Sequence, residues 1–260
     1  MISVICSTIR PGSKTMSSIK SVLRSLPETG ELILHLDAED GSASTWDPKI
    51  SDNRLIVLRS ETWIGFSQGL NLAAGTAGNQ YLGRIDADDI CLPWRWKYQI
   101  SAIAETDVHF GSMLHYYTDG LMPFILPHYP VALSPREFLV VAESTNPGFH
   151  PAALIRRTAF EKLGGYRDVM CEDYDLWLRA LADGMSLSRG LLPVTVYRHH
   201  SEQATAATDW TVRLAKDPDV RTGQNSVTEI LDSQNISRRQ VLDSLGARYP
   251  MARREFRALF

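Results

Sequence analysis

Short apolar runs and longer amphipathic segments alternate along the first part of the chain. The runs at residues 2–7, 31–36 and 54–58 are rich in β-branched and aliphatic residues and predict three strands. A segment with helical spacing follows the first strand, at 15–25, and another follows the third strand, at 65–75. Strands that alternate with helices in this way predict an α/β fold with a mostly parallel, doubly wound sheet flanked by helices.

A fourth apolar run begins at Tyr81 and ends in the carboxylates Asp86, Asp88 and Asp89. Carboxylates this close together repel one another unless a cation lies among them, and Mg²⁺ and Mn²⁺ prefer oxygen ligands. Since Mg²⁺ commonly completes its coordination with substrate phosphates, the run predicts a metal–diphosphate site. The alternative is an ordinary helix start, with Asp89 as a cap and Pro93 at the first helical position. That alternative does not account for Asp86.

Polar or acidic residues also follow two of the other predicted strands. Ser7 and Thr8 end the first strand, and residues 37–40 follow the second. In open α/β sheets, ligands bind beyond the carboxyl ends of the strands. These two segments are therefore expected to line one cleft together with residues 86–89.

The second half of the chain carries a weaker pattern. Residues 108–146 contain four prolines and are expected to be irregular. Helices are predicted at 156–163, with Gly164 and Gly165 as its C-terminal cap, and at 172–182, and a strand at 193–198 leads to His199 and His200. The remainder is helical in character, so the simplest division is a domain at 1–205 and a C-terminal helical extension at 206–260.

Asp173 lies at the start of the apolar face of the helix predicted at 172–182. Leu176, Trp177, Ala180 and Leu181 follow it at spacings that place all five on one face. A carboxylate on such a face points toward the protein body, where it is costly unless it has a partner or a role. Asp173 is therefore a candidate general base, and the alternative is a first-turn Asp favoured by the helix dipole.

Composition narrows the classes of function. The 260 residues are 44% hydrophobic and 22% charged, as in ordinary globular proteins, and a net charge of −3 gives no general attraction for nucleic acid. The three cysteines lack paired spacing, so a reducing, cytoplasmic compartment is expected rather than a disulfide framework. No apolar run is long enough to span a bilayer. A basic aromatic segment near the C-terminus carries Arg248, Arg253, Arg254 and Arg257. It is a candidate for peripheral contact with the inner face of a membrane, although such segments are more often solvated helix faces.

In this order, the segments resemble the inverting family 2 glycosyltransferases, which have the GT-A fold, a Rossmann-like fold for nucleotide-diphospho-sugars. The resemblance covers about residues 2–205. Each landmark is weak alone, but seven in the expected order are specific. They are residues 2–8, Asp40-Gly41-Ser42, Asn71, the DXD motif in Asp86-Ala87-Asp88-Asp89, Gly164-Gly165-Tyr166, Glu172-Asp173 and Tyr197-Arg198-His199-His200.

The resemblance implies donor-binding roles at the first cleft. Ser7 and Thr8 would line the pocket for the nucleotide base or ribose, and Asp40 would accept a hydrogen bond from uracil, which favours a UDP-sugar. Asp86 would bind the ribose or lie near the metal. Asp88 would hold Mn²⁺ or Mg²⁺ against the diphosphate.

Other roles complete the predicted site. The resemblance makes Asp173 the general base and places His200 at the metal or diphosphate, although a strand-end His is as often a surface residue. His150 and Glu172 fall on the acceptor side. Trp94 could stack on a sugar ring, but a buried aromatic is the more common alternative.

The chain departs from the family pattern at three places. The residues after the second strand leave Asp37 as an alternative to Asp40 for binding the base. Ile9 and Arg10 replace a common Tyr-Asn pair, so Arg10 is either a phosphate contact or a solvated loop residue. Arg84 occupies a strand position that is usually apolar, and its partner is either a carboxylate or the diphosphate.

The leading hypothesis is a metal-dependent inverting glycosyltransferase in bacterial polysaccharide or glycoconjugate synthesis. It would move a sugar from a nucleoside diphosphate sugar to a hydroxyl group of a glycan or a lipid-linked acceptor. The alternative from another class is a non-catalytic domain that binds sugar nucleotides or glycans. A sugar nucleotidyltransferase is disfavoured because residues 7–12 lack a Gly-rich loop, and a haloacid dehalogenase-type phosphatase because the first strand ends in Ser-Thr rather than Asp.

Overall fold

The structure is a computed structural model that describes residues 1–38, 45–117, 124–127, 131–200 and 217–258. Its strands are β1 (Ile2–Thr8), β2 (Glu31–Leu36), β3 (Leu55–Arg59), β4 (Tyr81–Arg84), β5 (Ile90–Cys91), β6 (Val108–Tyr117), β7 (Phe124–Pro127), β8 (Ala153–Arg156) and β9 (Leu187–His199). Its α-helices are α1 (Ser13–Ser25), α2 (Phe66–Thr76), α3 (Arg95–Ala102), α4 (Pro135–Ala142), α5 (Arg157–Lys162), α6 (Glu172–Ala182), α7 (Pro218–Ser233), α8 (Arg238–Arg248) and α9 (Arg253–Arg257).

The strands form one mixed sheet in the order β3-β2-β1-β4-β8-β6-β9-β5, with β7 paired to β6. The half built from β3, β2, β1 and β4 is parallel throughout, as the alternating pattern predicts. In the other half, β8 runs antiparallel to both of its neighbours, while β6 and β9 are parallel to each other. The predicted α/β sheet flanked by helices is thus confirmed, and the parallel arrangement is confined mainly to its first half.

The two faces of the sheet are covered by separate apolar clusters. Along β1, Val4 packs in the cluster that includes Ile19 of α1, whereas Ile5 packs in the cluster that includes Leu70 of α2. Successive side chains of a strand point to opposite faces, which explains this division. The carboxyl ends of β1, β2 and β4 therefore lie side by side at one edge, between the helices of both layers.

The prediction that residues 108–146 are irregular is wrong. This segment contains β6, β7 and α4. Pro135 begins α4 instead of breaking it, because a proline at the first helical position loses no hydrogen bond. Ser134 N donates to Glu137 Oε2 at 2.8 Å, which caps the same helix start. In β6, Gly111 interrupts the apolar pattern because a Cβ there would lie 2.3 Å from Val194 of β9.

The C-terminal helices share the core of the sheet domain. Val220, Val227 and Leu231 of α7 are buried in the same apolar cluster as Leu178 of α6. The predicted boundary at 205/206 falls outside the described residues, so the domain division stays a prediction. In the described part of the chain, no helix combines the length and the apolarity needed to cross a membrane.

Candidate active site

The predicted acidic cluster forms a turn directly after β4. Asp89 N donates to Asp86 O at 3.2 Å, which closes the turn, and Ser18 Oγ of α1 donates to Asp86 O at 3.1 Å. The side chains of Asp86 and Asp88 are 28% and 29% exposed, so both reach solvent at the sheet edge. We call residues Asp86–Asp89 the acidic turn.

The end of β9 places one histidine against the acidic turn. His200 Nε2 lies 2.7 Å from Asp88 Oδ2, while His199 Nε2 lies 2.7 Å from His115 Nδ1 of β6. Side chains that alternate along an extended segment point in opposite directions, so only one of the two histidines contacts Asp88. The pair Asp88–His200 joins the first half of the sheet to the second.

The alternative that Asp89 caps a helix is wrong. Helix α3 starts only at Arg95, and the short strand β5 separates it from Asp89. Asp89 is fully buried, and its Oδ1 accepts a hydrogen bond from Arg198 N at 3.1 Å. The pKa of Asp89 lies well above its ordinary value. Burial is the main cause, and the negative charges of Asp86 and Asp88 add to it.

Arg198 holds the acidic turn between β9 and α1. Its Nη2 donates to Lys14 O at 2.9 Å, and its Nε donates to Asp88 O. Together with the bond from Arg198 N to Asp89, these contacts tie β9 and α1 to the turn. This clamp was missed from the sequence, although Arg198 belongs to the Tyr197–His200 landmark.

The acidic turn offers few protein ligands to a cation. Within the described ranges, no group of three or more His, Cys, Asp or Glu residues could hold a metal ion by itself. Asp88 Oδ2 and His200 Nε2 nevertheless lie together at the open end of the sheet. This donor set fits a hard divalent cation that takes its remaining ligands from substrate phosphates and water, as Mg²⁺ does.

A second acidic pair begins α6. Asp173 Oδ2 accepts a hydrogen bond from Asn146 Nδ2 at 2.9 Å, and its Oδ1 accepts one from Tyr174 N at 2.7 Å. Burial raises the pKa of Asp173, and the Asn146 hydrogen bond opposes that rise. Burial and then the neighbouring Asp173 raise the pKa of Glu172 to about 8. At neutral pH, Asp173 is thus the better stabilised of the two as a carboxylate.

His150 lies beside this pair and is neutral. Its Nε2 is 2.8 Å from Tyr166 Oη, and its Nδ1 is 3.7 Å from Glu172 Oε1. Burial, followed by the charge of Arg84, lowers the pKa of His150 well below its ordinary value. The contact with Glu172 is therefore not an ion pair at neutral pH.

Asn71 connects α2 to the turn that leads into α6. Its Nδ2 donates to Tyr166 O at 2.8 Å, and its Oδ1 accepts from Tyr166 N at 2.9 Å. Gly164 and Gly165 precede Tyr166 with φ angles of 72° and 75°, which favour glycine. The predicted glycine cap of α5 is thus confirmed, and the turn positions Tyr166 and α6 relative to the sheet.

Arg84 lies between the acidic turn and the α6 pair. It is 1% exposed, and its Nη2 donates to Asp86 Oδ1 at 2.5 Å. Burial lowers the pKa of Arg84, but the charges of Asp86, Tyr166 and Cys6 and the hydrogen bond to Asp86 together outweigh burial, and the net pKa lies above the ordinary value. Of the two partners considered from the sequence, the structure shows the carboxylate.

The remaining predicted donor residues are placed differently. Ser7 is buried with its Oγ 3.0 Å from His35 Nδ1, whereas Thr8 Oγ1 accepts from Arg10 N at 3.3 Å and Arg10 is exposed. Asp40 lies outside the described residues. Of the predicted residues, Asp86 is hydrogen-bonded to Arg84, and the roles of Asp86 and Asp173 stay predictions.

Asp37, the alternative to Asp40, has a structural task. It is fully buried and holds the start of α2 through its carboxylate. Its hydrogen-bond donors are Ala38 N, Ser60 Oγ, Ile64 N and Gly65 N, at 2.8–3.1 Å for the shorter contact of each. These four donors already occupy the carboxylate oxygens with hydrogen bonds, so Asp37 is a poor candidate for binding a nucleotide base.

The two tryptophans after the acidic turn differ. Trp96 is buried in the cluster beside β1. Trp94 is 46% exposed, and its Nε1 donates to Pro193 O at 2.7 Å. The alternative of a buried aromatic at Trp94 is therefore wrong, and an acceptor-side role stays a prediction.

Several known proteins are similar to this chain in sequence. The family model "Glycosyl transferase family 2" matches residues 11–164. EpsE of Bacillus subtilis, which carries the name of a glycosyltransferase, is 31% identical over 196 residues, which are 70% of this chain and 67% of EpsE. The UDP-Glc:alpha-D-GlcNAc-diphosphoundecaprenol beta-1,3-glucosyltransferase WfaP of Escherichia coli is 26% identical over 217 residues, which are 79% of this chain and 80% of WfaP.

A solved structure shows the same fold. S. aureus TarS 1-349 in complex with UDP-GlcNAc is similar to this chain with a TM-score of 0.63 at 16% identity. The similarity covers 80% of this chain and 61% of the TarS chain. The predicted GT-A-type fold is thus confirmed, and the chain spans less than two thirds of that structure.

Proposed function

This chain belongs to glycosyl transferase family 2, and we propose that it transfers a sugar from a UDP-sugar to an acceptor hydroxyl with inversion at the sugar. Membership of the family makes it a glycosyltransferase. The donor, the stereochemistry, the metal and the acceptor are the proposed parts. The observation that carries the proposal is that buried Arg84 is hydrogen-bonded to Asp86 of the acidic turn while its charge also acts on Glu172 and Asp173 of α6.

The acidic turn supports a donor site for the diphosphate. Asp88 and His200 would hold a divalent cation, which when bound neutralises the charge that develops on the departing diphosphate. Asp86, held by Arg84, lies beside them on the cleft side and would contact the ribose. Arg198 keeps the backbone of the turn in place from both sides, so the two carboxylates do not need to reorganise when a donor binds.

Asp173 is the better general base of the α6 pair. A base must be ionised at the working pH, and the pKa of Glu172 at about 8 leaves that residue mainly protonated at pH 7. Asn146 and Tyr174 N each donate a hydrogen bond to Asp173, which stabilises its charged form and fixes its orientation. The proton of the acceptor hydroxyl would therefore move to Asp173.

The names of the similar proteins support the donor class. WfaP is named for transfer from UDP-Glc to a diphosphoundecaprenol-linked GlcNAc, and TarS was solved with UDP-GlcNAc. The corresponding proposal here is a UDP-sugar donor and a glycan or lipid-linked acceptor in bacterial polysaccharide or glycoconjugate synthesis. Contact with a membrane through the C-terminal arginines stays a prediction, and Arg248 already donates to Glu137 of α4.

Replacing the proposed base tests the catalytic part directly. In Asp173→Asn, we expect UDP release from UDP-sugars in the presence of Mn²⁺ and acceptor to fall by about 10²–10⁴-fold, because the proton acceptor is lost. UDP binding should remain within about twofold of wild type. The measurement is steady-state turnover beside isothermal titration with UDP.

The matched control is Asp183→Asn, the same chemical change at the other end of α6, where Asp183 pairs with Lys162 at the surface. It should keep full turnover. Unchanged turnover in Asp173→Asn would contradict the proposed role and would favour Glu172 as the base. A protein that binds UDP-sugars but shows no turnover with any acceptor would favour the alternative of a binding domain.

A further inference from the structure

Arg84 combines complete burial with unused hydrogen-bond donors. Its side chain is 1% exposed, and only Nη2 has a carboxylate partner, Asp86 Oδ1 at 2.5 Å. Nε and Nη1 are buried and have no hydrogen-bond partner among the residues that the structure describes. Buried donors in proteins are nearly always paired, so two open donors on one guanidinium indicate a missing acceptor.

A second buried arginine shows what a purely structural role looks like. Arg95 is also fully buried, one element away in α3, and all three of its nitrogens are paired. It donates to Gln99 Oε1, Pro151 O, Thr195 Oγ1, Arg84 O and Ala153 O at 2.7–3.2 Å. Arg95 thus serves the packing of the sheet, whereas packing does not explain the Nε and Nη1 donors of Arg84, which are unpaired among the described residues.

The surroundings of Arg84 place it between the two halves of the proposed reaction. Its bonded partner Asp86 belongs to the acidic turn, on the donor side. On the other side, the Phe66 ring that the guanidinium contacts also packs edge-on against His150, and His150 Nδ1 lies 3.7 Å from Glu172 Oε1 on the base side. In an inverting displacement, the transferred sugar sits between the departing diphosphate and the attacking hydroxyl. A group between the acidic turn and Asp173 therefore faces the sugar and not the nucleotide base.

Phe66 covers this position. The Cζ atom of Arg84 lies 5.2 Å from the centre of the Phe66 ring, and Phe66 itself is 39% exposed. Phe66 is the first residue of α2 and follows Gly65, whose φ is 86°. The cover is thus a surface side chain at a helix end, which can move without disturbing the core.

We propose that Nε and Nη1 of Arg84 each bind an oxygen of the transferred sugar, with the Phe66 ring displaced, so that Arg84 distinguishes a UDP-sugar from UDP. The inference rests on the proposed function and extends it to a sugar-recognition residue. Nε–H and Nη1–H point from different edges of the planar guanidinium, so they would bind two separate oxygens, which suits the several hydroxyl groups of a sugar. Nη2 keeps Asp86 in place at the same time.

The test compares two ligands on the same variants. UDP and the tightest binder among UDP-glucose, UDP-galactose and UDP-N-acetylglucosamine are titrated, with Mn²⁺, into wild type, Arg84→Gln and Arg84→Lys. We expect the affinity for the UDP-sugar to fall about tenfold further than the affinity for UDP in both variants, because loss of the Arg84–Asp86 bond weakens both ligands alike and loss of the sugar contact weakens the UDP-sugar alone. The control Arg167→Gln removes an arginine that is 55% exposed and should change neither affinity.

The outcomes separate this inference from the proposed function. Equal losses for UDP and the UDP-sugar would overturn the sugar contact, since the arginine would then act on the diphosphate or on the site as a whole. Unchanged affinities for both ligands would overturn it as well. If wild type bound neither ligand, the proposed function itself would fail, and the inference with it.

Because Arg84 is buried, its replacement can also lower the stability of the fold, so the melting temperature of each variant is measured first. Arg84→Lys keeps the charge next to Asp86 and is the milder change. If neither variant folds, the Nε–H signal of Arg84 in nitrogen-15-labelled wild type provides the readout. It should shift with the UDP-sugar and not with UDP, and an equal response to both would overturn the proposal.

Discussion

Asp37 and Glu172 show how neighbouring donors set the charge of a buried carboxyl. Burial alone would raise the pKa of both residues. Hydrogen bonds from Ser60, Ile64, Ala38 and Gly65 reverse the effect at Asp37 and leave its pKa lowered. Glu172 lacks such a set, and the nearby charge of Asp173 adds to burial. The fold therefore stabilises the ionised form of Asp37 and destabilises the ionised form of Glu172.

The raised pKa of Glu172 predicts a stability that falls as pH rises. The folded protein holds this proton up to a pKa of about 8, whereas the unfolded chain releases it near the model-peptide value of 4.5. Between these values the folded state binds more protons, so the free energy of unfolding decreases with pH. In Glu172→Gln this decrease should be smaller by about 3–4 kcal/mol between pH 5 and pH 8.5.

Urea unfolding of wild type and Glu172→Gln at pH 5 and pH 8.5, in metal-free buffer, measures the difference. The control is Glu161→Gln, since Glu161 is an exposed residue of α5 that pairs with Arg157 on the surface. The same pH dependence in wild type and Glu172→Gln would show that Glu172 is already ionised in the folded protein at neutral pH.

At the scale of elements, the turn between α5 and α6 is fixed by one side chain from a distant helix. Asn71 of α2 pairs with both backbone groups of Tyr166. A Cβ at Gly165 would lie 2.5 Å from Asn71 Oδ1, whereas a Cβ at Gly164 would meet nothing within 4 Å. Two adjacent glycines with nearly the same φ thus differ in what an added methyl group would contact.

This difference makes Gly164→Ala and Gly165→Ala a matched pair. Both substitutions place an alanine in the left-handed region, which costs about 1–2 kcal/mol of stability. Gly165→Ala should cost about 1–3 kcal/mol more, because Asn71 must give up its bonds to Tyr166 to make room. Chemical unfolding of the two variants measures the gap. Equal losses of stability would show that the Asn71 pairing does not hold the turn.

An element could be predicted from the sequence when the residues that determine it lie within the element itself. The strands β1 to β4 carry their own apolar pattern, and Gly164-Gly165 marks the end of α5 by itself. The start of α4 also had a local signal, Ser134 three residues before Glu137, but Pro135 was interpreted as a breaker. Strand β6 could not be recognised in this way, because Gly111 and its polar residues fit only against β9.

For the molecule as a whole, the order of the segments predicted the family and the edge of the sheet that carries the site. The acidic turn and the α6 pair were both found from the sequence, because each has a local pattern. The contacts that hold each of them in place were not, since Arg198 with Asp89 and Asn71 with Tyr166 join residues far apart in the chain. Only the fold reveals that two donors of Arg84 lack a partner among the described residues.

The central claim is that the acidic turn is a metal-dependent site for a nucleoside diphosphate, and thermal unfolding with UDP tests it most directly. At about 100 times its dissociation constant, UDP with Mn²⁺ should stabilise the wild type by about 2.7 kcal/mol, a rise in melting temperature of about 5–10 °C. The rise should be absent without Mn²⁺ and in Asp88→Ala, and it should persist in Asp243→Ala, a control on the exposed side of α8. A rise of the same size in Asp88→Ala, or no rise with UDP, GDP, dTDP, ADP or CDP in the wild type, would contradict the claim.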